Sequence, residues 1–300
     1  MATESASRSR SALVLAVGQI RYQILVLLRS PLGFFVSVVI PLILLICLKA
    51  LLPGEPVGAL PYAQWLTPAM CAFCLLNACY VASVTGIVLA REEGILKRLR
   101  GTPLPAWAYL AGRFGSAFVT AAAACAVIIA TGVLFFHVRM VWHAFGYFLT
   151  AALMGIVCFF VLGAAVTVLV PRSETALPVA FGSMLPLAFI SNVFFAADPP
   201  QWLHDLAYAF PVAPVATAME DSFDPATHSW PMPVSGTLVV LGWVVAAIIV
   251  MALAFRWEPG PARAALTINS PRRWRRPGHR GNRPDDEGRR HTGRTGRRRS

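Results

Sequence analysis

The chain has 300 residues, 57% of them hydrophobic and only 13% charged, with a mean hydropathy of +0.63. A soluble domain carries about 25% charged residues, so ordinary soluble classes are excluded. A net charge of +12 in so apolar a chain means that the basic residues are segregated from the apolar segments.

Residues 1–31 read as a cytoplasmic arm. Within it Leu13, Val17, Ile20, Ile24 and Leu27 recur at helical spacing, with Gln19, Tyr22, Gln23 and Arg29 largely opposite. That pattern predicts an amphipathic helix lying in the membrane interface before the first span. Six apolar segments then reach the roughly 20 residues needed to cross the hydrocarbon core. They run at about 32–52, 62–90, 107–136, 143–170, 174–196 and 234–255. Their continuous runs exclude a β-barrel, which needs short alternating strands. Pro41, Pro68, Pro178 and Pro186 fall inside them, as membrane helices tolerate. The expected fold class is an all-α integral membrane protein with six transmembrane helices.

Charge sets the orientation. With both termini cytoplasmic, every Lys and Arg except Lys49 and Arg139 falls inside. The long loop 197–233 has no basic residue but carries Asp198, Asp205, Glu220, Asp221 and Asp224. The positive-inside rule favours that arrangement. Residues 259–300 change to Arg, Pro, Gly and Asp, a composition that predicts a disordered tail. Its arginines suit anionic lipid headgroups. No folded motif supports nucleic-acid binding, and none is expected.

All six cysteines lie in the expected spans, and Cys71 and Cys74 have CxxC spacing. No second pair or neighbouring histidine completes a zinc set, so helix packing is expected of them rather than metal binding. No nucleophile–base set is visible either, and no catalytic site is expected. The deep polar residues are uncharged. Asn77, Ser191 and Asn192 are the candidates among them for lining a pathway, against the plainer role of holding helices together. A proton-driven carrier needs an ionisable group within the membrane, and the spans supply none away from their ends. The only lysines, Lys49 and Lys97, follow no phosphate-binding loop, so nucleotide energy would come from another polypeptide.

The loop after the second span is the richest segment: Arg91-Glu92-Glu93-Gly94-Ile95-Leu96-Lys97-Arg98-Leu99-Arg100-Gly101-Thr102-Pro103. Acids lead and bases follow, which complements a helix dipole. Ile95, Leu96 and Leu99 share one side, and such a short amphipathic helix suits a partner's groove. Thr102-Pro103 ends it.

These residues resemble the signature of the permeases of ABC type-2 transporters, the membrane subunits of drug and polysaccharide exporters, including daunorubicin-resistance-like permeases. In that family an acidic residue, Gly, an apolar pair, basic residues, Leu-Arg and Thr-Pro follow span two. The match is Glu92 or Glu93, Gly94, Ile95-Leu96, Lys97-Arg98, Leu99-Arg100 and Thr102-Pro103. A second likeness runs through Ser191-Asn192-Val193-Phe194-Phe195, Pro200-Gln201-Trp202-Leu203, Leu206-Ala207-Tyr208 and Phe210-Pro211. There the family forms short re-entrant outer helices between spans five and six, often with Gly where Asn192 stands.

The resemblance implies a transmembrane domain over 32–258 and an ATPase-coupling helix carrying Arg91, Glu92, Glu93, Gly94, Ile95, Leu96, Leu99, Arg100, Thr102 and Pro103. It implies a second inner contact at Arg172 and Glu174. The implied function is export of an amphipathic substrate, such as a drug, lipid or antibiotic-like compound, across the inner (plasma) membrane. ATP and Mg would be bound by a separate ABC ATPase subunit, with no cofactor on this chain. A second permease copy, as a homodimer, and membrane lipid would be its other partners. An ATP-independent transporter or channel is the alternative.

Overall fold

The computed structural model describes residues 31–52, 56–57, 60–95, 106–195 and 200–254. The expected interfacial helix of the N-terminal arm, the loop positions Leu96, Leu99, Arg100, Thr102 and Pro103, and the Arg-rich tail lie outside the described residues.

The apolar runs fold as helices because a helix satisfies its own backbone polar groups without water. The first, α1, is Pro31–Leu51. A two-residue hairpin pairs β1 (Pro56–Val57) with β2 (Leu60–Pro61) and leads into α2, Tyr62–Leu75. The helix continues through a π-helical stretch, Leu76–Val81, into α3, Ala82–Glu92. Then come α4 (Ala106–Phe136), α5 (Phe145–Val166) and α6 (Ser173–Ile190). Two short helices, α7 (Gln201–Tyr208) and α8 (Val212–Asp221), precede α9, Val234–Ala254.

Five helices among the described residues are long and apolar enough to cross a membrane: Tyr62–Glu92, Tyr109–Phe136, Phe145–Val166, Ser173–Ile190 and Val234–Leu253. In α1 the apolar part among the residues so tested is the shorter Ser37–Leu51. The limits expected from sequence agree with the helix ends to within a few residues, except that span five ends earlier, at Ile190.

The helix formed by α2, the π stretch and α3 is the centre of the bundle. Its apolar window is 78% buried, against 17% for α9. Small residues let its neighbours approach. A β-carbon on Gly163 of α5 would lie 2.6 Å from the Tyr80 carbonyl oxygen, so only glycine fits that crossing. The thiol of Cys71 lies 3.9 Å from the Cys125 carbonyl, and that of Cys125 lies 3.7 Å from the Cys71 carbonyl, so these cysteines bridge α2 and α4 as small packing groups.

Most deep hydroxyls bond within their own helix rather than between helices. Thr67, Thr85, Thr120 and Thr131 each donate to the carbonyl four residues earlier. For Thr85, Thr120 and Thr131 this differs from the helix–helix role expected of the uncharged polar residues of the spans. The reason is local: that carbonyl is always within reach of a helical Ser or Thr. Ser183 also reaches across, its hydroxyl lying 2.7 Å from that of Tyr80 on another helix and 2.8 Å from the Val179 carbonyl of its own.

The stretch between α6 and α9 is partly enclosed. On α7, Trp202 is 67% exposed, whereas Val212, Ala213, Val215, Ala216, Ala218 and Met219 of α8 are buried. α8 packs chiefly against α2 and α5. Gln64 secures this end. Its amide nitrogen donates to the carbonyls of Arg139 (2.8 Å) and Phe223 (2.9 Å), and its oxygen accepts from the Arg139 amide at 2.8 Å.

Candidate functional site

α3 ends in a left-handed cap. Glu93 closes the helix, and Gly94 follows with φ +67°, its amide donating to the Arg91 carbonyl at 3.2 Å. A β-carbon disfavours that conformation, which explains a glycine between two charged segments. Arg91 and Glu92, at the head of the expected coupling segment, therefore belong to the last turn of the membrane helix. Glu93 and Ile95 are exposed beyond it.

Arg91 does not face outward. It is 7% exposed, and its guanidinium donates to the carbonyls of Thr167 (3.2 Å) and Val170. Those carbonyls lie just past the end of α5, where a helix leaves oxygens without partners and carries partial negative charge. Arg91 supplies the cap that α5 lacks in its own sequence. Next to it Glu92 accepts a hydrogen bond from the Ser173 hydroxyl at the start of α6. Glu174 stands in the first turn of α6, where a carboxylate complements the positive helix end, and Arg172 precedes it in extended backbone. Arg172 and Glu174 are both exposed.

The two segments singled out in sequence, 91–95 and 172–174, are thus joined into one block at one end of the bundle. Ser173 falls within the second of these segments, whereas Thr167 and Val170, whose carbonyls complete the block, were not assigned to it in sequence. The signal available for them was negative: span four ends in Thr167-Val168-Leu169-Val170 with no basic residue of its own.

Of the candidate pathway residues, Asn77 lies in the π stretch and Ser191 and Asn192 close α6. Asn77 is buried in the π stretch with no hydrogen bond to its amide nitrogen, and the Ser191 hydroxyl is buried and unpaired at the end of α6. Asn192 has a backbone role: at φ +61° it closes α6 in the left-handed region, with its amide donating to Phe189 and that of Val193 to Ala188. Asn is among the few non-glycine residues that tolerate this conformation. Asn192→Gly is expected to leave thermal unfolding of the detergent-solubilised chain unchanged or slightly improved. Asn192→Val should cost about 1–2 kcal/mol.

At the opposite end of the bundle Glu220 sits beneath α2, its carboxylate accepting a hydrogen bond from the Trp65 indole at 2.9 Å. Burial pushes its carboxyl up to about 8. Burial also raises neighbouring Asp221, to about 6, with Asp224 adding repulsion. In sequence both counted only among the acids of the loop 197–233. Their burial was signalled only by the apolar run Val212–Met219 before them.

No curated protein matches the chain. Residues 19–223, from before α1 through α8, match the family described as ABC-2 type transporter. That span carries α1 to α6, the block around Arg91 and the buried helix α8 together, and the chain belongs to this family of membrane transporter components.

Proposed function

We propose that the chain is the permease half of an ATP-driven exporter, with six spans and both termini cytoplasmic, working as a homodimer in the inner (plasma) membrane with a separate ABC ATPase. Family membership supports the transporter reading. The joining of Arg91 and Glu92 to the ends of α5 and α6 is the observation that carries the mechanism. A push on the segment after Gly94 reaches α3, α5 and α6 together, because one side chain caps α5 and its neighbour holds α6. ATP and Mg act on the partner. The permease opens a path for an amphipathic substrate and breaks no bond. Exposed Trp142 and Trp202 suit positions at the outer membrane interface.

Affinity purification of the full chain in mild detergent tests this reading. An ABC ATPase should accompany the wild type and be lost with Ile95→Asp, which alters an exposed side chain. Retention of the same ATPase by that variant would remove Ile95 from the contact. Absence of any ATPase from the wild type would overturn the reading. The half-buried Glu220 favours one rival, a carrier driven by an ion gradient, since it offers a protonatable group with a raised pKa. Gradient-driven transport by the purified permease alone in vesicles would establish that rival.

A further inference from the structure

Arg113 lies seven residues into α4, about 10 Å along its axis from Ala106. A long basic side chain near a helix end can reach back to the interface. Instead the Arg113 guanidinium crosses to α3 and donates to the Ala82 carbonyl at 2.9 Å. Gly86 makes the room: a β-carbon there would lie 1.3 Å from Nη2 of Arg113.

A guanidinium has five N–H donors and no acceptor. Only the bond to Ala82 is made here, and no carboxylate among the described residues stands within ion-pair distance. Beside it opens a cavity of about 110 Å³, bounded by Ser37 of α1, Ser83 of α3, Ser116 and Thr120 of α4, and Phe160 of α5. The hydroxyls of Ser83 and Thr120 donate back to their own helices. That of Ser116, one turn from Arg113 on the same face, has no partner. Among the described residues the cavity lining therefore combines a fixed positive charge, spare donors and no acidic side chain. An arginine at membrane depth is costly without a partner, and its planar fork matches an oxyanion.

We propose that this cavity binds the oxyanion head, phosphate or carboxylate, of an amphipathic molecule whose apolar chain stays in the bilayer. The volume suits one such head and not a whole amphiphile. Arg113 supplies the charge, Ser116 a further donor, and Gly86 the notch that sets the guanidinium in place. A bilayer lipid and an exported compound would share this chemistry. The binding is a property of the permease alone and does not depend on the ATPase reading.

The full chain, purified in a neutral maltoside detergent, is titrated with dodecyl phosphate, laurate and dodecyltrimethylammonium, and bound adducts are counted by native mass spectrometry. The wild type should bind one dodecyl phosphate or laurate at least tenfold more tightly than dodecyltrimethylammonium. Arg113→Gln should abolish the preference. Gly86→Ala retains the charge and disturbs only the tip of a flexible side chain, and should reduce the preference severalfold. Equal binding of the three amphiphiles by the wild type overturns the proposal without recourse to any variant, as does an undiminished preference in Arg113→Gln. Nanodiscs containing phosphatidylglycerol distinguish the sources. Loss of tightly retained phosphatidylglycerol in Arg113→Gln identifies the bilayer lipid. Binding of dodecyl phosphate with no retained phosphatidylglycerol identifies an exported amphiphile.

Discussion

Arg91→Leu is expected to destabilise the chain by about 3 kcal/mol, because two charge-assisted hydrogen bonds vanish and the carbonyls they served stay buried. The loss has two parts. The Val170 oxygen would face an apolar surround, the Thr167 oxygen would keep only the Val170 amide at 3.3 Å, and the partial negative charge at the end of α5 would lose its counter-charge. Arg91→Lys should fall between the two. It keeps the charge but cannot reproduce the planar fork that reaches two carbonyls. Thermal unfolding of the full chain in detergent checks the order wild type, Lys, Leu. If leucine matches the wild type, solvent must reach these carbonyls and the cap is unimportant. In the proposed exporter, Arg91→Lys should also weaken the response of ATP turnover to transported compounds, because the link from α3 to α5 loosens while the fold survives.

Docking of α8 should weaken as pH rises, and Glu220→Gln should flatten that dependence. The folded carboxyl titrates at about 8, above the ordinary value of 4.5. The neutral form is therefore the one the site prefers. Its stabilising effect is complete below about pH 4.5 and is lost progressively as pH rises through about 8. A shift of this size corresponds to a few kcal/mol at most, and the half-buried state of the residue places the expected loss on the order of 2 kcal/mol. Asp221, raised to about 6, adds a smaller loss of the same sign at lower pH. Glutamine keeps an oxygen for the Trp65 indole but has no charge to bury. Unfolding temperatures measured from pH 5 to 9 in one detergent should fall for the wild type and fall less for Glu220→Gln. Parallel curves would place the titration elsewhere.

The two short helices α7 and α8 show how far the sequence could be followed. Their location between spans five and six and the aromatic residues of α7 were legible, because Trp and Tyr at a membrane edge follow from their own chemistry. The enclosure of α8 was not. Its alanines and valines pack against α2 and α5, which lie far away in sequence, and the acids at its end entered the sequence reading only through the charge balance of the loop. The loop after span two was similarly half legible. Gly94 was recognised as part of a motif, but its left-handed backbone gives the physical need for glycine there, and the same need explains Asn192 at the end of α6.

Length, apolar runs and the placement of basic residues were enough to determine a helical membrane protein and the approximate limits of its long helices. Each helix closes its own backbone hydrogen bonds, so its existence depends on a local stretch of chain. Tertiary structure alone decided which charges turn inward. Arg91 meets a carbonyl 76 residues away, Glu220 an indole 155 residues away, and Arg113 a carbonyl 31 residues back. The energy of a buried charge is set by its partners, and no local pattern reveals partners that only packing brings together.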